Sequence, residues 1–88
     1  MRTVNHPKEL LWKREPLPPV EKVPDGFFAL AWIGKDGRPG MVETVMPWGD
    51  RLNPRRWCSS SRMPIGAYLT DGYRIEWWAW LKAPEDFV

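Results

Sequence analysis

The sequence predicts a small α+β domain that is rich in β-structure, built on an antiparallel sheet of about four strands. Residues 27–33 form an apolar run bounded by glycines, and an Asp71-Gly72 pair separates two further runs of β-forming residues. We expect the strands in two hairpins, over residues 27–46 and 65–81. A length of 88 residues, of which 43% are hydrophobic, fits one packed domain.

The first 25 residues are predicted to form an arm, ahead of a single β-rich domain over residues 26–88. An N-cap at Asn5 and a proline in the first turn favour a short helix over residues 5–13. The following stretch, residues 15–20, contains three prolines and favours polyproline II geometry. Two interpretations stay open: an extended arm that covers the domain, or a proline-rich ligand for an aromatic groove, including this protein's own tryptophans.

The first hairpin begins with Phe27–Ile33, which is apolar at every position. Such a run is typical of a central strand that is buried on both faces. A turn rich in glycine follows, and residues 41–46 then alternate between two faces. We expect Pro47 to end this strand, since proline lacks an amide donor.

Residues 47–64 are predicted to form a long irregular loop, with a helical turn that begins at Asn53-Pro54. The second hairpin then turns at Asp71-Gly72, the signature of a two-residue type I′ turn. A hairpin centred on this turn pairs Gly66 with Trp77. It also places Trp78 and Trp80 together on the face opposite Trp77.

Side chains that carry chemistry are scarce. Cys58 is the only cysteine and His6 the only histidine, so we expect no disulfide, no metal site, no cofactor and no enzymatic activity. No apolar run approaches the roughly 20 residues of a membrane span, and residues 1–10 lack the apolar core of a signal peptide. We therefore expect a cytoplasmic protein without a membrane partner.

The net charge of +2 is too small to imply a nucleic-acid partner, but residues 50–62 hold four arginines against one acid. This basic segment has two interpretations. Its arginines could cap nearby carbonyls in a solvated loop, or they could face an anionic partner, either nucleic acid or an acidic protein.

Tryptophan is abundant, with 7 residues in 88. Trp12, Trp32 and Trp77 fit packing positions, whereas the other four lie in or beside the basic loop or on the second face of the last strand. They could enlarge a small core. Alternatively, an exposed surface of tryptophan and arginine is typical of protein–protein contacts. The predicted partner-binding residues are Trp48, Arg51, Arg55, Arg56, Trp57, Arg62, Trp78 and Trp80.

The order of these features resembles a family of short uncharacterised proteins from bacteriophages and prophages. The residues that carry the resemblance are a tryptophan followed by Leu17-Pro18, an apolar strand, a loop with tryptophan, and the stretch Glu76–Pro84. It covers about residues 12–86, although Trp77 stands where the family has histidine and Trp80 where it has proline. The resemblance implies a phage origin, and by analogy an anti-defence role such as that of anti-CRISPR proteins.

We therefore predict a small binding protein that inhibits a host defence or nucleic-acid-handling complex by occupying an acidic surface patch. One alternative is a module that binds single-stranded nucleic acid through the same tryptophans and arginines. Another is a structural homo-oligomer whose exposed tryptophans pair across a two-fold axis. Either a monomer or a homodimer fits the sequence.

Overall fold

The computed structural model describes residues 10–36 and 38–87. Within them, four strands form one antiparallel sheet: β1 (Phe28–Lys35), β2 (Arg38–Trp48), β3 (Arg56–Ser59) and β4 (Arg74–Lys82). Their order is β3-β2-β1-β4, so β1 pairs with both β2 and β4. The helical segments of this part are short 3-10 turns at Val20–Lys22, Ile65–Tyr68 and Glu85–Phe87. The four-stranded, β-rich fold is confirmed, while these turns give little support to the α+β class.

The first predicted hairpin is confirmed and is longer than expected. β1 and β2 pair antiparallel, with Ala29 opposite Val45. β2 continues through Pro47 to Trp48, so the expectation that the proline ends this strand is wrong. The pairing of β1 with β2 stops at Val45, and beyond it β2 pairs with β3 alone. A strand with one unpaired edge accommodates a residue that lacks an amide donor.

The predicted irregular loop over residues 47–64 contains the third strand. β3 pairs antiparallel with the end of β2, which places Trp57 opposite Pro47. No helical turn begins at Asn53-Pro54; bends at residues 51–53 precede the strand instead. A strand of four residues is too short for its alternation to stand out among the prolines and serines around it.

The turn of the second predicted hairpin has the expected geometry. Asp71 and Gly72 have positive φ angles of 56° and 86°. The amide of Tyr73 donates a hydrogen bond to the carbonyl of Thr70 at 3.0 Å. These are the features of a type I′ turn, which favours glycine and tolerates aspartate.

The predicted strand pairing around this turn, over residues 65–81, is wrong. Ile65–Tyr68 forms a 3-10 turn, and β4 pairs antiparallel with β1 instead. β1 offers β4 a long apolar partner, whereas the segment before the turn begins after Pro64 and contains Gly66, both poor strand formers.

The predicted helix over residues 5–13 is also corrected. Residues 5–9 lie outside the described part of the chain, and residues 10–13 are not helical. The Lys13 amide donates to the Trp78 carbonyl at 2.7 Å, and the Trp78 amide donates to the Lys13 carbonyl at 3.0 Å. A short helix is only marginally stable by itself. Hydrogen bonds to the open edge of β4 therefore satisfy these backbone groups better than a helix would.

The two faces of the sheet differ in what covers them, because side chains alternate along each strand. The covered face carries buried residues, among them Ala29, Ala31, Val45 and Trp78. The open face carries Leu30, Trp32, Val42 and Trp77. The expectation that β1 is buried on both faces is wrong, since Trp32 is 39% exposed.

The proline-rich arm lies against the covered face. The indole N–H of Trp78 donates to the carbonyl of Glu15 at 2.6 Å, and that of Trp57 donates to the carbonyl of Pro18 at 2.8 Å. The two carbonyls are three residues apart, which is the repeat of a polyproline II helix. Pro19 has φ −58° and ψ 136°, close to that geometry. The arm both covers the sheet and acts as a ligand for the protein's own tryptophans.

Candidate binding surface

Two of the predicted partner contacts belong to the core, and a third, Trp80, packs against it. Trp57 and Trp78 are only 8% and 3% exposed. Trp80 is half-buried, with its ring centroid 5.3 Å from that of Trp78 and 6.2 Å from that of Trp57. This corrects the expectation that they form a contact surface. The pairing of β4 with β1 turns the Trp78 and Trp80 side chains toward the arm.

Arg55, a fourth predicted contact, holds the arm in place. Its guanidinium donates to the backbone carbonyls of Val20 and Val23. It also pairs with the carboxylate of Asp25 at 2.9 Å. For Arg55 the structure supports the first interpretation of the basic loop, in which an arginine caps nearby carbonyls.

The other predicted contacts in the loop lie nearer the surface. Arg51, Arg56 and Arg62 are exposed, and Trp48 is half-buried. The guanidinium carbon of Arg62 lies 5.4 Å from the centre of the Trp48 ring, so this arginine stacks on its own chain. The loop keeps a basic surface but offers no exposed tryptophan.

Asp50 fixes the conformation of this loop. Its carboxylate accepts hydrogen bonds from the amides of Leu52 at 2.9 Å and Asn53 at 2.8 Å, and from the Asn53 side chain at 3.0 Å. The backbone bond from Leu52 is the main reason why the pKa of Asp50 lies below its usual value, followed by the bonds from Asn53. The loop therefore presents Leu52, which is 91% exposed, from an ordered turn.

Cys58 lies in the interior, with its Sγ 3.5 Å from the carbonyl oxygen of Arg56 and 3.8 Å from that of Trp48. Burial raises the pKa of its thiol, and the positive charge of Arg56 opposes this effect only in part. A protonated, buried thiol is a packing residue rather than a nucleophile.

The open face contains a cleft lined by Trp12, Trp32 and Trp77, which we call the tryptophan cleft. Its volume is about 260 Å³. Trp12 meets Trp32 edge to face, with ring centroids 6.4 Å apart and planes at 81°. Trp32 and Trp77 are 39% and 37% exposed. Two large apolar side chains thus remain in contact with solvent on adjacent strands.

Backbone pairing brings the three indoles together. Trp32 and Trp77 lie opposite each other on β1 and β4. The bridge between Lys13 and Trp78 gives these two residues the same face, so Trp12 lies on the open one. The Trp32 ring crosses β2 at Gly40, where a Cβ would lie 2.0 Å from its Nε1 atom. Any larger residue at position 40 would displace this ring.

Two charged groups flank the tryptophan cleft. The guanidinium carbon of Arg14 lies 4.5 Å from the centre of the Trp77 ring. Glu76 is the extra residue of a β-bulge, because Ile75 pairs with Ile33 while Trp77 pairs with Trp32. A Glu76 carboxylate oxygen and Trp32 Nε1 lie 2.0 and 3.5 Å from the point where a Cβ on Gly34 would be.

The sequence assigned these three tryptophans to packing and so missed the cleft. One signal could have found it: residues 27–33 are apolar at every position, yet so short a chain has little material to cover both faces of a sheet. The positions of Trp12 and Glu76 depend on an edge bridge and a bulge, which leave no pattern in the sequence.

Comparison of the chain with protein-family models, with curated proteins and with solved structures finds no match. The resemblance to phage proteins therefore stays a prediction. Within residues 10–36 and 38–87, no helix is long and apolar enough to cross a membrane. In the same residues, no three histidine, cysteine, aspartate or glutamate side chains are grouped to hold a metal ion.

Proposed function

We propose that this chain is a binding protein rather than an enzyme, and that it contacts its partner with the open face. The observation that carries the proposal is the exposure of Trp32 and Trp77, which lie opposite each other on β1 and β4. Monomeric proteins seldom expose large apolar side chains side by side without a role in binding. Tryptophan and arginine are also the residues that most often dominate interface energies.

The proposed partner is another protein, which keeps the inhibitory role expected from the sequence but moves the contact away from the basic loop. The tryptophan cleft is large enough for one side chain of a partner. Exposed Val42 and Leu81 extend the apolar surface along β2 and β4. Arginines of the loop would then act mainly on the rate of association, as rim charges do.

Affinity capture with matched variants tests this proposal. We expect a captured partner to be lost with Trp32→Thr/Trp77→Thr, because the exposed indoles are removed while strand propensity is kept. The same partner should be retained with Arg51→Ala/Arg56→Ala. Loss with the arginine variant and retention with the tryptophan variant would contradict the proposal and return the contact to the loop.

One observation favours nucleic acid as a second candidate. Exposed aromatic rings on adjacent strands of an antiparallel sheet are the arrangement on which unpaired bases stack. A labelled single-stranded oligonucleotide would then bind at low salt and dissociate as salt rises. The homo-oligomer alternative differs in mass: light scattering would give twice 10.3 kDa.

A further inference from the structure

We propose that the tryptophan cleft, together with Glu76, binds the guanidinium group of an arginine on the partner protein. This inference rests on the proposed function and adds the chemistry of the group that the open face recognises. Three features of the structure support it: the electron-rich faces of the indoles, a carboxylate without a counter-ion among the described residues, and a guanidinium of this chain that already lies over an indole beside the cleft.

The indole rings give the cleft its affinity for cations. A cation within about 6 Å of an indole centroid is attracted by the negative face of the ring, and cages of several aromatic rings recognise cationic groups. Trp77 already holds the Arg14 guanidinium at 4.5 Å. Among the described residues Trp32 has no such cation, although it is the more exposed of the two.

Glu76 supplies the charge that selects a cation. It is half-buried, and within the described part of the chain it forms neither an ion pair nor a hydrogen bond through its carboxylate. The bulge directs the carboxylate over Gly34, on the side of the cleft where Trp32 Nε1 lies. A partly desolvated carboxylate gains most from a cation that reaches it directly.

An arginine fits these groups better than the phosphate of a nucleic acid does. A planar guanidinium can stack on an indole while it donates two hydrogen bonds to a carboxylate. A phosphate would instead be repelled by Glu76. Arg14, whose guanidinium carbon lies 4.5 Å from the centre of the Trp77 ring, shows that this side of the cleft accommodates a guanidinium.

The test compares N-acetyl-arginine amide with N-acetyl-citrulline amide, which has the same shape without the charge. Two-dimensional NMR follows the indole N–H signals as each probe is added. We expect the arginine probe to shift the Trp32 and Trp77 signals with a dissociation constant on the order of a millimolar. The dissociation constant of the citrulline probe should be at least about fivefold higher. Trp57 and Trp78, whose indoles donate to the arm, serve as internal controls that should not shift.

Two substitutions complete the test. Glu76→Gln should weaken binding of the arginine probe by about threefold, with no effect on citrulline. Arg14→Ala should strengthen binding of the arginine probe, because the substitution removes a like charge and uncovers the Trp77 ring. If the surface instead binds nucleic acid, the same substitution should weaken binding of an oligonucleotide.

Several results would overturn the inference. Equal binding of both probes would show an apolar cleft without selection for charge, and no shift at Trp32 and Trp77 would remove the cation site altogether. Neither result bears on whether the open face binds a partner protein, which the capture experiment tests. Failure of this inference is therefore distinguishable from failure of the proposed function. If Glu76→Gln does not fold, the comparison of the two probes with the unaltered protein still decides.

Discussion

Replacement of Arg55 by alanine tests how the arm is held to the sheet. Its neighbour Arg56 carries the same charge and provides a matched control. Arg55 donates to the carbonyls of Val20 and Val23 and pairs with Asp25. Arg56 is exposed and makes no hydrogen bond or ion pair through its guanidinium within the described residues. The sequence treated the two arginines alike, and the structure separates them.

The magnitude follows from the contacts that are lost. A hydrogen bond to a charged group contributes about 1.5–3 kcal/mol, less where water can replace it. The Arg55 side chain is 32% exposed and that of Asp25 is 87% exposed, so the ion pair adds only about 0–1 kcal/mol. We expect Arg55→Ala to lower the free energy of unfolding by about 2–4 kcal/mol, and Arg56→Ala by less than about 0.5 kcal/mol.

Urea unfolding followed by tryptophan fluorescence measures both variants. Far-UV circular dichroism should give the same transition, since a domain of this size is expected to unfold in one step. Each kcal/mol corresponds to a fall of about 4–8 °C in the melting temperature. Equal stability of the two variants, within about 0.5 kcal/mol, would refute the assignment of Arg55 to the arm.

Three further predictions concern the sheet, the loop and the buried thiol. Gly40→Ala should cost about 1–3 kcal/mol of stability in urea unfolding, because its Cβ would lie 2.0 Å from the Trp32 indole, whereas Gly66→Ala should be close to neutral, with nothing within 4 Å. The folded-state pKa of Asp50 is lowered, so its carboxylate stabilises the folded protein. This contribution to the free energy of unfolding is complete above the ordinary aspartate pKa of about 3.9, and it is lost as the pH falls through the lower folded-state pKa. The difference in urea midpoint between the unaltered protein and Asp50→Ala should therefore shrink between pH 7 and pH ~2, and a constant difference would contradict it. Because burial raises the pKa of Cys58, iodoacetamide should alkylate it slowly at pH ~8 until urea is added; rapid reaction in the native protein would argue against burial.

Local turn and strand signals could be read from the sequence, but the pairing of strands could not. The Asp71-Gly72 turn depends on two residues that tolerate positive φ, and so it was predictable. The partner of β4 depends on competition between an adjacent segment and the more distant β1, and in the structure β1 is the partner. That error misplaced the neighbours of Trp77, which lies opposite Trp32 rather than opposite Gly66.

The same limit explains the candidate site. The composition shows that tryptophan is unusually abundant, and the sequence suggested that some of the tryptophans lie on a surface. Which tryptophans these are depends on the arm, whose backbone carbonyls accept hydrogen bonds from Trp57 and Trp78. Sequence alone gives no measure of such contacts between distant segments, so it did not show that Trp57 and Trp78 are buried while Trp32 and Trp77 are exposed.

Oxidative footprinting of the folded protein tests the central claim most directly, since it ranks tryptophans by exposure without knowledge of the partner. Brief treatment with N-bromosuccinimide followed by peptide mass spectrometry gives a rate for each indole. The structure predicts fast oxidation of Trp32 and Trp77 and protection of Trp57 and Trp78. Faster oxidation of Trp78 than of Trp77 would show that the other face of β4 is open, and would contradict the account.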